Sequence, residues 1–190
     1  PALPLDSEPE LITMIKGYCD HESAHIRETD FKILRKAKLT PFQHNLFNIL
    51  EDWRVEERLS ARYPGCRENF RCLIQKLFGA QKAGDTNPAF SILNTILLTV
   101  RSWSVDAIIL RRESVAKTME RHYPGLRKAL DGILDRMRDS CKDTGDCIRY
   151  ALELEQATLA WSLEQKSITE PEKEDSGAAQ DESVASSNAS

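Results

Sequence analysis

The residues best suited to chemistry lie near the start of the chain, in the segment His21-Glu22-Ser23-Ala24-His25. Two histidines four positions apart lie on one face of a helix, about 5–6 Å apart at Cβ, so both imidazoles can reach one zinc ion. The glutamate after the first histidine points into the same space and can take a proton from an attacking water. The spacing predicts a Zn²⁺ site with His21 and His25 as ligands and Glu22 as the catalytic base.

A helical projection places this HExxH motif on the apolar side of the first helix. With about 100° between successive residues, the motif falls within one apolar stripe. The stripe consists of Leu11, Met14, Ile15, Tyr18 and Ile26. The opposite side carries Thr13, Lys16, Asp20, Ser23 and Arg27. A buried glutamate needs a partner, which a metal site would provide. The competing interpretation is a pair of core histidines, with Glu22 paired to an arginine.

A zinc site of this type needs a third protein ligand, and the second long helix offers acidic candidates. Its apolar side is centred near Leu46, Leu50 and Trp53, with Glu51 on one flank and Asp52 on the other. We favour Glu51 as the third ligand and keep Asp52 as the alternative. The acid that does not bind the metal would orient a histidine through its free N–H.

Helical periodicity runs through almost the whole chain, and Pro and Gly punctuate it. The pattern predicts an all-α fold, in which the HExxH helix packs antiparallel on the helix that carries the acidic ligand. The predicted helices span residues 8–31, 40–63, 67–78, 89–100, 105–122, 126–140 and 145–165. Residues 1–165 would form one domain. Residues 166–190, which are rich in Ser, Ala, Glu and Asp, are predicted to be a disordered tail or linker.

Composition and charge narrow the classes of function. The formal net charge of −4 gives no reason to expect a nucleic acid or an anionic membrane as partner. No apolar run approaches the roughly 18 residues of a membrane span, and no signal peptide is visible, so a cytoplasmic location is expected. The five cysteines include no CxxC pair and are expected to be free thiols rather than metal ligands or disulfides.

Two further segments resemble a known family. Together with the HExxH helix that precedes them, residues 47–56 and 62–65, with the sequences FNILEDWRVE and RYPG, resemble the N-terminal part of CobT-like proteins. These are the cobaltochelatase CobT subunit of cobalamin biosynthesis and related proteins with a von Willebrand factor A domain. The resemblance implies a helical metallopeptidase-like region, an acidic linker and an AAA+ ATPase partner. No segment of these 190 residues resembles the von Willebrand factor A domain itself.

The motif and the resemblance together predict a gluzincin-like zinc metallopeptidase, in which a glutamate from a second helix completes the metal site. Its substrate would be a peptide or a protein. Zincins usually hold the peptide on the edge strand of a sheet, whereas strand signals are nearly absent here. The alternative function is a non-catalytic zinc-binding helical module that docks to an AAA+ ATPase or to a von Willebrand factor A partner.

Overall fold

The computed structural model describes residues 9–79 and 87–169, and these residues form eight α-helices. In chain order they are α1 (Pro9–Glu28), α2 (Phe31–Ala37), α3 (Pro41–Arg62), α4 (Pro64–Phe78), α5 (Pro88–Arg101), α6 (Ile109–His122), α7 (Leu126–Ser140) and α8 (Thr144–Thr169). A 3₁₀ turn, Asp106–Ile108, precedes α6. The described ranges contain no strand, which confirms the predicted all-α class. Within the same ranges, no helix combines the length and the apolar character needed to cross a bilayer.

Local sequence chemistry explains where the helices begin. Proline is the first residue of α1, α3, α4 and α5, a position where its missing N–H costs nothing. At α3 a capping box adds to this effect. The Thr40 hydroxyl accepts from the Gln43 N–H, while the Gln43 side chain accepts from the Thr40 N–H. These signals made the start of α3 predictable from the sequence.

The short helix α2 was not predicted. The Asp30 carboxylate accepts hydrogen bonds from the backbone N–H groups of Lys32 and Ile33, and so caps a new helix directly after α1. The first helix therefore ends at Glu28 rather than at residue 31. At the other end of the fold, the domain boundary predicted after residue 165 falls inside α8. The rest of the predicted tail, residues 170–190, lies outside the described residues.

Helix α3 lies at the centre of the fold, where it packs against α1, α4, α5 and α8 and contributes to both apolar clusters. Its Leu50 belongs to the larger cluster, with Ile96 of α5, Leu134 of α7 and Leu154 of α8. Its Val55 belongs to the smaller cluster, where it joins Ala24, Phe70, Leu98 and Ile108. Helix α1 packs against both α3 and α4. The helix with the histidine pair therefore lies beside the helix with the acidic residues, as the sequence predicted.

The face by which α1 packs differs from the predicted one. Its buried residues are Gly17 and Ala24. Three members of the predicted stripe face solvent instead: Leu11, Tyr18 and Ile26 are 47%, 45% and 77% exposed. The projection was wrong because it weighted large apolar side chains, whereas this helix packs through its smallest residues.

Close approach of two helices explains the choice of small residues. A Cβ at position 17 would lie 2.9 Å from the backbone oxygen of Asn69 and 2.9 Å from Cβ of Leu73, both on α4. Only glycine permits this approach. Asp20, which was predicted to face solvent, lies on this side as well and accepts a hydrogen bond from the Asn69 amide at 2.8 Å.

Substituting Gly17→Ala should lower the free energy of unfolding by about 1–3 kcal/mol, because the added methyl group has no room against α4. Gly132→Ala is the matched control, since a Cβ there meets nothing within 4 Å in the exposed middle of α7. The control should be neutral or stabilising by up to about 1 kcal/mol. Urea unfolding of both variants checks this, and equal effects at the two positions would contradict the close approach.

Candidate metal centre

The two histidines of α1 point their rings at one carboxylate of α3. His25 Nε2 lies 3.1 Å from Oδ1 of Asp52, and His21 Nε2 lies 3.9 Å from the same oxygen. The ring centroids are 4.7 Å apart. All three donor atoms lie within 4.8 Å of one another, and among the described residues this is the group that could hold a metal ion. Side-chain exposures of 19%, 21% and 25% for His21, His25 and Asp52 leave the group reachable from solvent.

The opposite nitrogen of each histidine is held by a hydrogen-bond acceptor. His21 Nδ1 lies 2.8 Å from Oε1 of Glu56, and His25 Nδ1 lies 3.1 Å from the Thr29 hydroxyl. The Thr29 hydroxyl donates its own proton to Glu51 at 2.9 Å, so its oxygen can only accept from His25. This network assigns a proton to Nδ1 of both rings. In the neutral tautomer the Nε2 lone pairs then face the Asp52 carboxylate, and a proton or a metal ion must lie between them.

A buried arginine binds the carboxylates of Asp52 and Glu56 through the oxygens that do not face the histidines. Arg101, which is 5% exposed, donates to Oδ2 of Asp52 at 3.0 Å and to Oε2 of Glu56 at 2.6 Å. The remaining oxygens, Oδ1 of Asp52 and Oε1 of Glu56, face the histidines. Burial alone would raise the pKa of Asp52, but the hydrogen bond from His25 and the charge of Arg101 lower it overall. Two carboxylates against one guanidinium give an excess of acidic side chains over arginine that suits a cation.

Glu51, the favoured third ligand, lies in a different environment. It is completely buried and accepts two hydrogen bonds from Arg54, at 2.9 and 2.6 Å, and one from the Thr144 hydroxyl at 2.9 Å. Burial would raise its pKa, but Arg54 outweighs burial and lowers it. Since adjacent residues of a helix differ by about 100° in direction, Glu51 points to Arg54 and Thr144 while Asp52 points to the histidines. The carboxylate next to the histidine pair is thus the alternative, Asp52.

Glu22 is exposed, so the expectation that it lies in the buried stripe is wrong. The reason is the same rotation of α1 that buries Gly17 and Ala24. An exposed carboxylate needs no buried partner, so the position of Glu22 gives no support for a metal ion. The histidines and Asp52 alone support a metal site here. Exposure leaves the Glu22 carboxylate accessible to solutes.

Sequence reasoning did not assign roles to Glu56, Thr29 or Arg101. Glu56 could have been found, because it follows Asp52 by four positions and so lies on the same face of α3. Thr29 similarly follows His25 by four positions. Nothing in the sequence around Arg101 indicates its role. Arg101 is the last residue of α5 and contacts Asp52, which lies 49 positions earlier in the chain.

Comparison with known proteins identifies a family. The family model described as "Cobalamin biosynthesis protein CobT" matches the chain over residues 1–190. Neither a curated protein nor a solved structure matches it significantly. The likeness seen in residues 47–56 and 62–65 therefore extends over the whole chain.

In the metal-free protein, protonated His21 should add to the free energy of unfolding, and this contribution should be lost as pH rises. The pKa of His21 is raised above its ordinary 6.5, first by the hydrogen bond to Glu56 and then by the charge of Asp52, which outweigh burial and Arg101. Protonated His21 therefore favours the folded state. Its contribution is fully present below pH 6.5 and is lost as pH rises through the folded-state pKa.

Urea unfolding of chelator-treated wild type and His21→Gln tests this from about pH 5.5 to pH 8.5. The difference in free energy of unfolding between the two proteins should shrink as pH rises. His44→Gln, at an exposed histidine outside the cluster, controls for the loss of an imidazole. A difference that widens with pH for His21→Gln would contradict the assignment of Glu56 as its partner.

Proposed function

Because the chain belongs to the CobT family of cobalamin biosynthesis proteins, we propose that it provides a helical domain of that family which binds a zinc ion through His21, His25 and Asp52. The observation that carries the proposal is the orientation of the two imidazoles. Each has its Nδ1 engaged by an acceptor and its Nε2 directed at Asp52. Metal-binding histidines in proteins are held in the same way, by a partner on the nitrogen that does not bind the metal.

The donor set fits zinc better than the hard divalent cations. Two imidazole nitrogens and one carboxylate oxygen are ordinary zinc ligands, whereas Ca²⁺ and Mg²⁺ prefer sites made of oxygen atoms. Arg101 engages Oδ2 of Asp52, which leaves Oδ1 as the oxygen available on the side of the histidines. Three protein ligands leave a fourth position of a tetrahedral ion open, and the partial exposure of all three side chains is compatible with that.

Hydrolysis of a peptide or protein substrate is the second candidate function. Its supporting observation is the exposure of Glu22, which directly follows His21 and lies on the same helical face as the exposed side chains of Tyr18 and Ile26. Zinc bound at the site would polarise the scissile carbonyl and the attacking water. Glu22 would accept the proton of that water and pass it to the leaving amine. The described residues offer no edge strand for a peptide, so a substrate would have to bind on the helical surface.

Docking to an AAA+ ATPase or to a von Willebrand factor A domain stays a prediction from the CobT resemblance. In that role the zinc ion would stabilise the packing of α1 on α3. The exposed apolar side chains of α1, Leu11, Tyr18 and Ile26, would be available for contact with such a partner. This function requires zinc binding but does not require Glu22 to act as a base.

We expect the full chain, expressed with zinc, to contain about one zinc ion per molecule. His21→Ala and His25→Ala should abolish binding, and Asp52→Asn should weaken it, because each removes a donor atom. Elemental analysis of the purified variants measures this. His44→Ala, outside the cluster, is the control and should retain the metal. A folded wild type without zinc would overturn the proposal.

The Glu51→Gln variant tests whether Glu51 or Asp52 is the third metal ligand. In the proposed site Glu51 does not bind the metal, so the variant should retain zinc while losing stability through the buried Arg54 that it leaves unpaired. If Glu51→Gln loses zinc and Asp52→Asn keeps it, Glu51 is the ligand and the proposed coordination is wrong.

Glu22→Gln should leave zinc in place and lower any peptide hydrolysis by about 10²- to 10⁴-fold, because the amide cannot accept a proton. Fluorogenic peptide mixtures together with elemental analysis measure both properties. Ser23→Ala is the matched control on the same exposed turn and should change neither. If zinc-loaded wild type cleaves no peptide, the hydrolytic candidate fails while the zinc-binding proposal stands.

A further inference from the structure

Two cysteines meet at the junction of α7 and α8. Cys141 follows the last residue of α7, and Cys147 lies in the first turn of α8. Their sulfur atoms are 3.3 Å apart, and both are free thiols. Cys147 is completely buried, whereas Cys141 is partly exposed. The pair therefore combines a partly exposed residue with one that solutes cannot reach.

The surroundings favour ionisation of Cys141 over that of Cys147. The pKa of Cys141 is lowered, first by the hydrogen bond from the Cys147 thiol and then by the charge of Arg54, against the opposing effect of burial. The pKa of Cys147 is raised, first by its hydrogen bond to Cys141 and then by burial. Asp146 and Glu51 oppose ionisation of Cys141 but do not outweigh the other two effects. This difference favours Cys141 as the sulfur that attacks an oxidant.

We propose that Cys141 and Cys147 form a redox-active thiol pair that reduces a hydroperoxide and closes to an intramolecular disulfide. The inference is independent of the zinc site. It is carried by the sulfur–sulfur distance and by the difference in burial between the two residues.

The reaction balances with the hydroperoxide as the only oxidant. The Cys141 thiolate attacks a peroxide oxygen, a sulfur–oxygen bond forms and the oxygen–oxygen bond breaks. The leaving group is an alkoxide from an organic hydroperoxide, or hydroxide from hydrogen peroxide, and it takes a proton from the solvent to become an alcohol or water. Cys141 is then a sulfenic acid. The Cys147 sulfur attacks it, the sulfur–sulfur bond forms, and hydroxide leaves with the Cys147 proton as water. Closing the gap to the roughly 2 Å of a disulfide requires the sulfurs to move by about 1 Å.

The experiment treats the full native chain with hydrogen peroxide, followed by intact-mass and peptide mapping. The expected product has lost two hydrogen atoms and contains the 141–147 disulfide, which dithiothreitol reverses. A variant that lacks the other cysteines, Cys19→Ser/Cys66→Ser/Cys72→Ser, should form the same product. Preferential oxidation of Cys19, Cys66 or Cys72 in the wild type, or a 141–147 disulfide that forms only in denaturant, would overturn the proposal.

Single variants assign the two roles. Cys147→Ala should stop the reaction at a sulfenic acid on Cys141, which dimedone traps. Cys141→Ser should leave Cys147 unmodified, because Cys147 is completely buried. Circular dichroism establishes that each variant is folded before it is assayed. In folded protein, a sulfenic acid that forms first on Cys147 would reverse the assigned roles and overturn the inference.

Discussion

Carboxylates buried along α3 have to be neutralised, and this requirement determines what packs around that helix. Taking an ionised group out of water costs several kcal/mol unless partners replace the lost hydration. Glu51 obtains its partners from Arg54 on its own helix, Thr29 beyond the end of α1 and Thr144 of α8. Asp52 and Glu56 obtain theirs from the histidines of α1 and from Arg101 of α5. The polar groups of α3 thereby fix the positions of three other helices.

The neighbouring acids of α3 illustrate how environment separates structural from chemical roles. Glu51 has a guanidinium and two hydroxyl groups as partners and no contact with solvent. Asp52 has only one of its oxygens engaged by Arg101, and its side chain is 25% exposed. The first arrangement is closed to further ligands, while the second leaves an oxygen that faces two imidazoles. Glu51 still acts on the site, because Thr29 joins it to His25.

The sequence was most informative where short-range chemistry decides the structure. Prolines and the Thr40 cap marked helix starts, and the i, i+4 spacing of His21 and His25 was enough to bring their rings together. The choice between Glu51 and Asp52 was not decidable from the sequence, because both flank the apolar side of α3 and only Arg54 and Thr144 separate them. The orientation of α1 was missed because its contact with α4 depends on the absence of a side chain, which contributes nothing to an apolar pattern.

The contact at Gly17 has a consequence for how related sequences can diverge. It sets the separation of α1 from α4, and His21 lies one turn further along the same helix. A residue that donates no atom to the site therefore governs how the helix that carries both histidines lies against its neighbour α4. In diverging lineages a larger residue at position 17 would push α1 away from α4, because no change at Leu73 relieves the contact with the Asn69 backbone oxygen. Glycine should therefore persist at this position although it provides no donor atom to the cluster.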